Sequence, residues 1–175
     1  MRNKLGWHQV VLIGAMSAIA LWRFLTGQWT ISLYPLWWAL GMILGFLSVF
    51  GDKLVYLAIN DMKALMDWKI KESLQFLLLE KEGPREHLVM RSALFVGAWI
   101  ILAFFSLVEV ANPIARGLVA GIGIHLIFDL GWDYLDKDKG IEGWFWQIKR
   151  TLQKDEIRWF WWGSLVLSLV AISML

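Results

Sequence analysis

The sequence predicts an all-α integral membrane protein: a bundle of five transmembrane helices, with two amphipathic helices lying in the membrane plane on its cytoplasmic side. Three observations predict it. Hydrophobic residues make up 58% of the chain and charged residues 18%, at a mean hydropathy of +0.55, too apolar for an ordinary soluble domain. The apolar residues gather into five runs close to the ~20 residues a helix needs to cross a bilayer. Lysine and arginine collect in every second connection between those runs. Five such spans use more than half of the 175 residues, so the chain is expected to be one membrane domain.

The first span is expected over about residues 10–26, after a short amphipathic start with Trp7 and His8. Arg2, Lys4 and the run ending in Ala18-Ile-Ala20 resemble a signal peptide, and the stretch is taken as a retained signal anchor. His8 is assigned to the interface, and Arg23 to snorkelling beside Trp22 and Trp29. The second span covers about 31–50. Its Gly41 and Gly45 form a small-xxx-small pair that suits close helix packing. Residues 61–81 carry charges around an apolar stripe of helical period, which predicts the first in-plane helix, stopped at Gly83-Pro84.

The third span covers about 88–110. Asn112-Pro113 predicts a tight turn, with Asn112 as N-cap and Pro113 in first helical position. Glu109 and Arg116 flank that turn and are expected to form a structural ion pair. The fourth span covers about 114–132. On it Gly117, Gly121, His125, Asp129 and Asp133 recur every four residues and so share one stripe. Small residues admit a neighbouring helix, and ionisable groups at membrane depth must face protein or water, so this stripe is expected to face inward. Residues 141–153 predict the second in-plane helix. The fifth span, about 158–175, opens on the aromatic anchor Arg158-Trp-Phe-Trp-Trp162.

Basic residues set the orientation. The second connection holds Lys53, Lys63, Lys69, Lys71, Lys81, Arg85 and Arg91, whereas the third holds only Arg116. The fourth holds Lys137, Lys139, Lys149, Arg150, Lys154 and Arg158. The expected location is the bacterial cytoplasmic (inner) membrane, N-terminus in and C-terminus out. Asp52, Glu86, His87, Arg91, Asp129 and Asp133 then lie near the cytoplasmic face, with His125 ~12 Å deeper than Asp133.

The absence of cysteine excludes disulfides, thiolate metal sites and a cysteine nucleophile. No Walker motif or nucleophile elbow is present, and the basic connections suit anionic lipid rather than nucleic acid. His125 and Asp129, at i and i+4 on one helix face, are spaced to ligate one metal. Asp52 and His87 could complete a set of oxygen and nitrogen ligands for a divalent ion, with Arg91 or Arg85 holding an anionic group. The same His-Asp pair also suits a packing hydrogen bond, and the stripe suits a proton path.

Three motifs resemble those of the LexA-regulated membrane-bound metal-dependent hydrolase family of bacteria. They are the glycine-containing run from Gly45 to Asp52, Glu86-His87-Leu-Val-Met-Arg91-Ser92, and Gly123-Ile-His125-Leu-Ile-Phe-Asp129. The first is without that family's proline and second aspartate, and the second without its second histidine. The resemblance implies a metal site at His87, His125, Asp129 and Asp52. The chain also resembles small uncharacterised membrane proteins of candidate-phyla bacteria. The expected function is therefore a non-transporting membrane protein with a cytoplasmic-side His/Asp pocket, with hydrolysis of a lipid-associated substrate as its sharper form. A structural or assembly subunit is the alternative, and a small proton or ion conductor the third. Expected partners are membrane lipids and a membrane protein or second copy.

Overall fold

The computed structural model describes residues 4–27, 29, 33–52, 88–109, 112–135, 141–150 and 152–175. Among these the chain is all-helical, with no strand. Five α-helices follow in order: α1 Lys4–Leu25, α2 Tyr34–Ser48, α3 Ala93–Glu109, α4 Pro113–Leu135 and α5 Lys154–Met174. Three of them, α1, α4 and α5, are long and apolar enough to cross a membrane; α2 and α3 are apolar but shorter, at 15 and 17 residues. The first in-plane helix expected over 61–81 lies outside the described residues, as do His87 and Arg85.

Local chemistry sets the helix ends. Pro35 opens α2, where a missing backbone N–H is harmless. Ser92 caps α3, its hydroxyl accepting from the Phe95 N–H at 3.2 Å. Asn112 caps α4 as the turn predicts, Oδ1 accepting from the Ile114 N–H at 2.9 Å. A capping box between Gln153 and Glu156 starts α5, four residues before the expected aromatic anchor.

The central helix is α4. Of its most apolar stretch 61% is buried, against 11% for α1 and 22% for α5. It touches all four other helices. Its closest partner is α2, and glycines make that closeness possible. A Cβ on Gly41 would strike the Ile114 carbonyl and one on Gly45 the Leu118 carbonyl. From the other side, a Cβ on Gly117 would strike the Trp38 carbonyl and one on Gly121 the Met42 carbonyl. The two backbones therefore run in direct contact, a small-residue packing that brings dispersion and Cα–H···O contacts into range. Gly123 leaves room for the Trp99 ring of α3, whose indole N–H donates to the Val119 carbonyl at 2.9 Å.

Polar contacts give the relative directions. His8 near the start of α1 meets Asp129 near the end of α4, and Asp52 just beyond α2 meets the backbone of Val89 and Met90 just before α3. At the opposite end Arg23 of α1 meets the Ser173 carbonyl of α5, and Arg116 of α4 meets the Leu107 carbonyl of α3. Thus α1, α3 and α5 run one way, and α2 and α4 the other.

The second in-plane helix expected over 141–153 is not formed. Residues Ile141–Phe145 make a short 3-10 helix, and a turn and irregular backbone follow. The side chains there point inward instead of along one face. The Trp144 indole donates to Asp133 Oδ2 at 3.0 Å, Phe145 packs edge-on against Phe160, and the Trp146 indole reaches the Leu88 carbonyl. Tertiary anchoring of the consecutive aromatics Trp144, Phe145 and Trp146, just after Gly143, overrides the amphipathic period.

Replacing Gly45 or Gly121 by valine is expected to cost roughly 2–3 kcal/mol or abolish folding, because backbone cannot yield as a side-chain tip can. Alanine at Gly14 or Gly163, where a Cβ meets open space, is expected to be neutral to stabilising by up to ~1 kcal/mol. Thermal unfolding of the four variants in one detergent measures both.

Candidate metal centre

All five members of the four-residue stripe on α4 are buried: Gly117, Gly121, His125, Asp129 and Asp133. The glycines face α2, and the three polar residues line the end of the bundle where α1 starts. His125 and Asp129 are fully buried, at 0% exposure each.

Asp129 is the hub. Its Oδ1 lies 3.1 Å from His8 Nε2, and its Oδ2 lies 2.6 Å from the Arg91 guanidinium and 3.3 Å from His125 Nε2. The ligating atoms of His8, His125 and Asp129 all fall within 4.8 Å of one another. Aromatic rings enclose the imidazoles: Phe46 and Phe50 pack on both, and Phe128 on His8. Water-excluding walls of this kind strengthen every charge interaction inside.

The tautomer of His125 follows from its partner. Its Nδ1 lies 2.7 Å from the Phe46 carbonyl oxygen, which can only accept, so Nδ1 carries a proton. In the neutral ring Nε2 is then a bare lone pair. It lies 3.3 Å from Oδ2 of the Asp129 carboxylate, another acceptor, and no described residue donates to it. A backbone carbonyl holding one ring nitrogen while the other is aimed into a site is the usual second contact of a metal-ligating histidine.

The helix ends position Arg91. Ser92 caps α3, and the Asp52 carboxylate accepts from the Val89 and Met90 backbone N–H groups at 3.2 and 2.7 Å. Residues 88–92 are fastened between α2 and α3, and Arg91 is directed at Asp129.

The structure thus joins His125 and Asp129, as the i, i+4 spacing suggests, and brings Arg91 to them. Arg91 pairs with the carboxylate of Asp129 instead of standing open to an external anion. Asp52 lies at the same end but binds backbone rather than the cluster, and Asp133 is engaged by Trp144. Arg116 reaches the Leu107 carbonyl; the side chain of Glu109 is outside the described residues. The residue that sequence reasoning set aside is His8. Helix α1 begins at Lys4 rather than near Val10, so His8 sits a full turn inside it, 4% exposed. The available signal was the expected topology, in which the N-terminus shares a side with Asp129 and Asp133.

Removing Arg91 leaves a carboxylate buried without its strongest counter-charge. Arg91→Met is expected to destabilise the protein by ~3–5 kcal/mol, and Arg91→Met with Asp129→Leu to recover most of that loss. Unfolding midpoints of the two single variants and the double variant test this coupling. Comparison of the chain with family models, curated proteins and solved structures gives no match, so the resemblance carried by residues 45–52, 86–92 and 123–129 rests on those residues alone.

Proposed function

We propose that the protein is a polytopic membrane protein of five spans with a mononuclear divalent-metal centre, ligated by His8, His125 and Asp129, at the cytoplasmic end of its bundle. The surface supports the membrane reading. Large apolar side chains such as Ile13, Leu21, Leu44, Ile101, Phe105 and Val166 are exposed along the helices. Exposed tryptophans gather near the helix ends, Trp7, Trp159 and Trp162 at one end of the bundle and Trp22 and Trp37 at the other, as interfacial belts require. The basic residues of alternate connections support the cytoplasmic placement of the centre.

The observation that carries the metal reading is the Nε2 of fully buried His125, to which no described residue donates and which faces the carboxylate that His8 also contacts. Two lone-pair donors facing each other in a dry site repel, and a cation between them turns that repulsion into attraction. Two imidazole nitrogens and one carboxylate oxygen suit zinc, manganese or iron(II), and three protein ligands leave positions open. A divalent ion so held would lower the pKa of a bound water towards neutrality, the chemistry of hydrolysis. The protein's own part is to fix the His125 tautomer through Phe46, to hold the carboxylate through Arg91, and to keep the phenylalanine walls dry. A second reading, a purely structural charge lock, is favoured by the 2.6 Å contact of Arg91 with Asp129.

Metal analysis of the full chain separates them. Purified without chelator and incubated with zinc, manganese or iron(II), the protein is expected to retain about one ion per chain. His8→Ala, His125→Ala and Asp129→Ala should each reduce that at least tenfold, and Asp52→Ala should not. Retention should fall on acidification, because protons compete with the metal for imidazole nitrogens. Absence of any retained ion from the unaltered protein removes the centre and leaves the charge lock.

A further inference from the structure

The end of the bundle opposite the His8–His125–Asp129 cluster is built from hydrogen-bond donors. Arg23, in the last turn of α1, is buried at 6% exposure instead of reaching outward. Its guanidinium lies over the Trp29 indole, 5.5 Å from the ring centroid, and Trp29 packs edge-on against Trp38 with centroids 5.2 Å apart. Trp29 and Trp38 are themselves buried.

Little accepts from these groups. Arg23 Nη2 donates to the Ser173 carbonyl across 3.4 Å, a long bond. Among the described residues nothing accepts from Arg23 Nε or from the indole N–H of Trp29 or Trp38, and no carboxylate pairs with Arg23. Guanidinium and indole offer donors and no acceptor. Buried indole N–H groups normally find an acceptor, and buried charges normally find a counter-charge. Water would satisfy the N–H groups but not the charge. What answers several donors and a cation that meet one long carbonyl contact among the described residues is an oxyanion.

We infer that Arg23, Trp29 and Trp38 form an anion-binding site at this end of the bundle, and that it takes a phosphate group, carried on a lipid headgroup or free in solution. The site shares no residue with the metal centre and stands without it. Arg23 supplies charge, the indoles supply directed donors, and the stack of rings keeps the guanidinium from turning away.

The test uses the full chain in phosphatidylcholine nanodiscs, with its unfolding midpoint read during a titration of inorganic phosphate. A second arm replaces part of the phosphatidylcholine with phosphatidylglycerol. The expected result is a rise in midpoint in at least one arm. Arg23→Gln should weaken the apparent affinity at least about tenfold, as loss of a charged hydrogen-bond donor does. Trp29→Phe keeps the ring, removes its N–H, and should weaken it roughly threefold or more with the fold intact. A rise with free phosphate assigns a soluble oxyanion, and a rise with phosphatidylglycerol alone assigns a headgroup. No rise in either arm overturns the site, and so does a rise that both variants leave unchanged. Should Arg23→Gln not fold, Trp29→Phe decides.

Discussion

The contact between the backbones of α2 and α4 is the constraint on which the remaining structure depends. Four glycines, two from each helix, let the carbonyls of one helix rest where side chains would otherwise stand. Because the axes come so close, the Phe46 carbonyl reaches the ring of His125 one turn beyond Gly121. That single hydrogen bond chooses which imidazole nitrogen is bare. A change in helix spacing of even one methyl group would therefore reach the chemistry of His125 before it reached any exposed surface. Packing and protonation are one arrangement here.

Charge is managed at both ends of the same central helix, in opposite ways. Toward the end of α4, Asp129 collects Arg91 and two imidazoles in a ring-lined site. Near its start, Arg116 reaches the Leu107 carbonyl, and Arg23 lies over the Trp29 indole and reaches the Ser173 carbonyl. Desolvated charges of this kind are weak contributors to stability when paired and strongly destabilising when half of the pair is removed.

Much of the architecture was legible in the sequence because it follows from periods and compositions. The four-residue stripe on α4 announced an inward face, Gly41 and Gly45 announced a close neighbour, and Asn112-Pro113 announced the start of α4. What was not legible depends on which distant side chains meet. His8 looked interfacial because an apolar run, rather than its helix, was used to start the span. Arg91 looked open because nothing local reveals that Ser92 and Asp52 fasten its segment and direct it at Asp129. Residues 141–153 carry a helical stripe, yet Trp144 and Phe145 find inward partners that a solitary helix would not have. Arg23 had the sequence of a snorkelling arginine, and Trp29 and Ser173 drew it inside.

Helix α1 is the least enclosed of the three long apolar helices, so the polar contacts of His8 and Arg23 matter the more. His8 fastens its beginning to α4, and Arg23 fastens its end to α5, about fifteen residues or ~22 Å further along. A rod held by a rivet at each tip can swing about either one when the other is released. The two ends of the bundle are thus mechanically joined through α1.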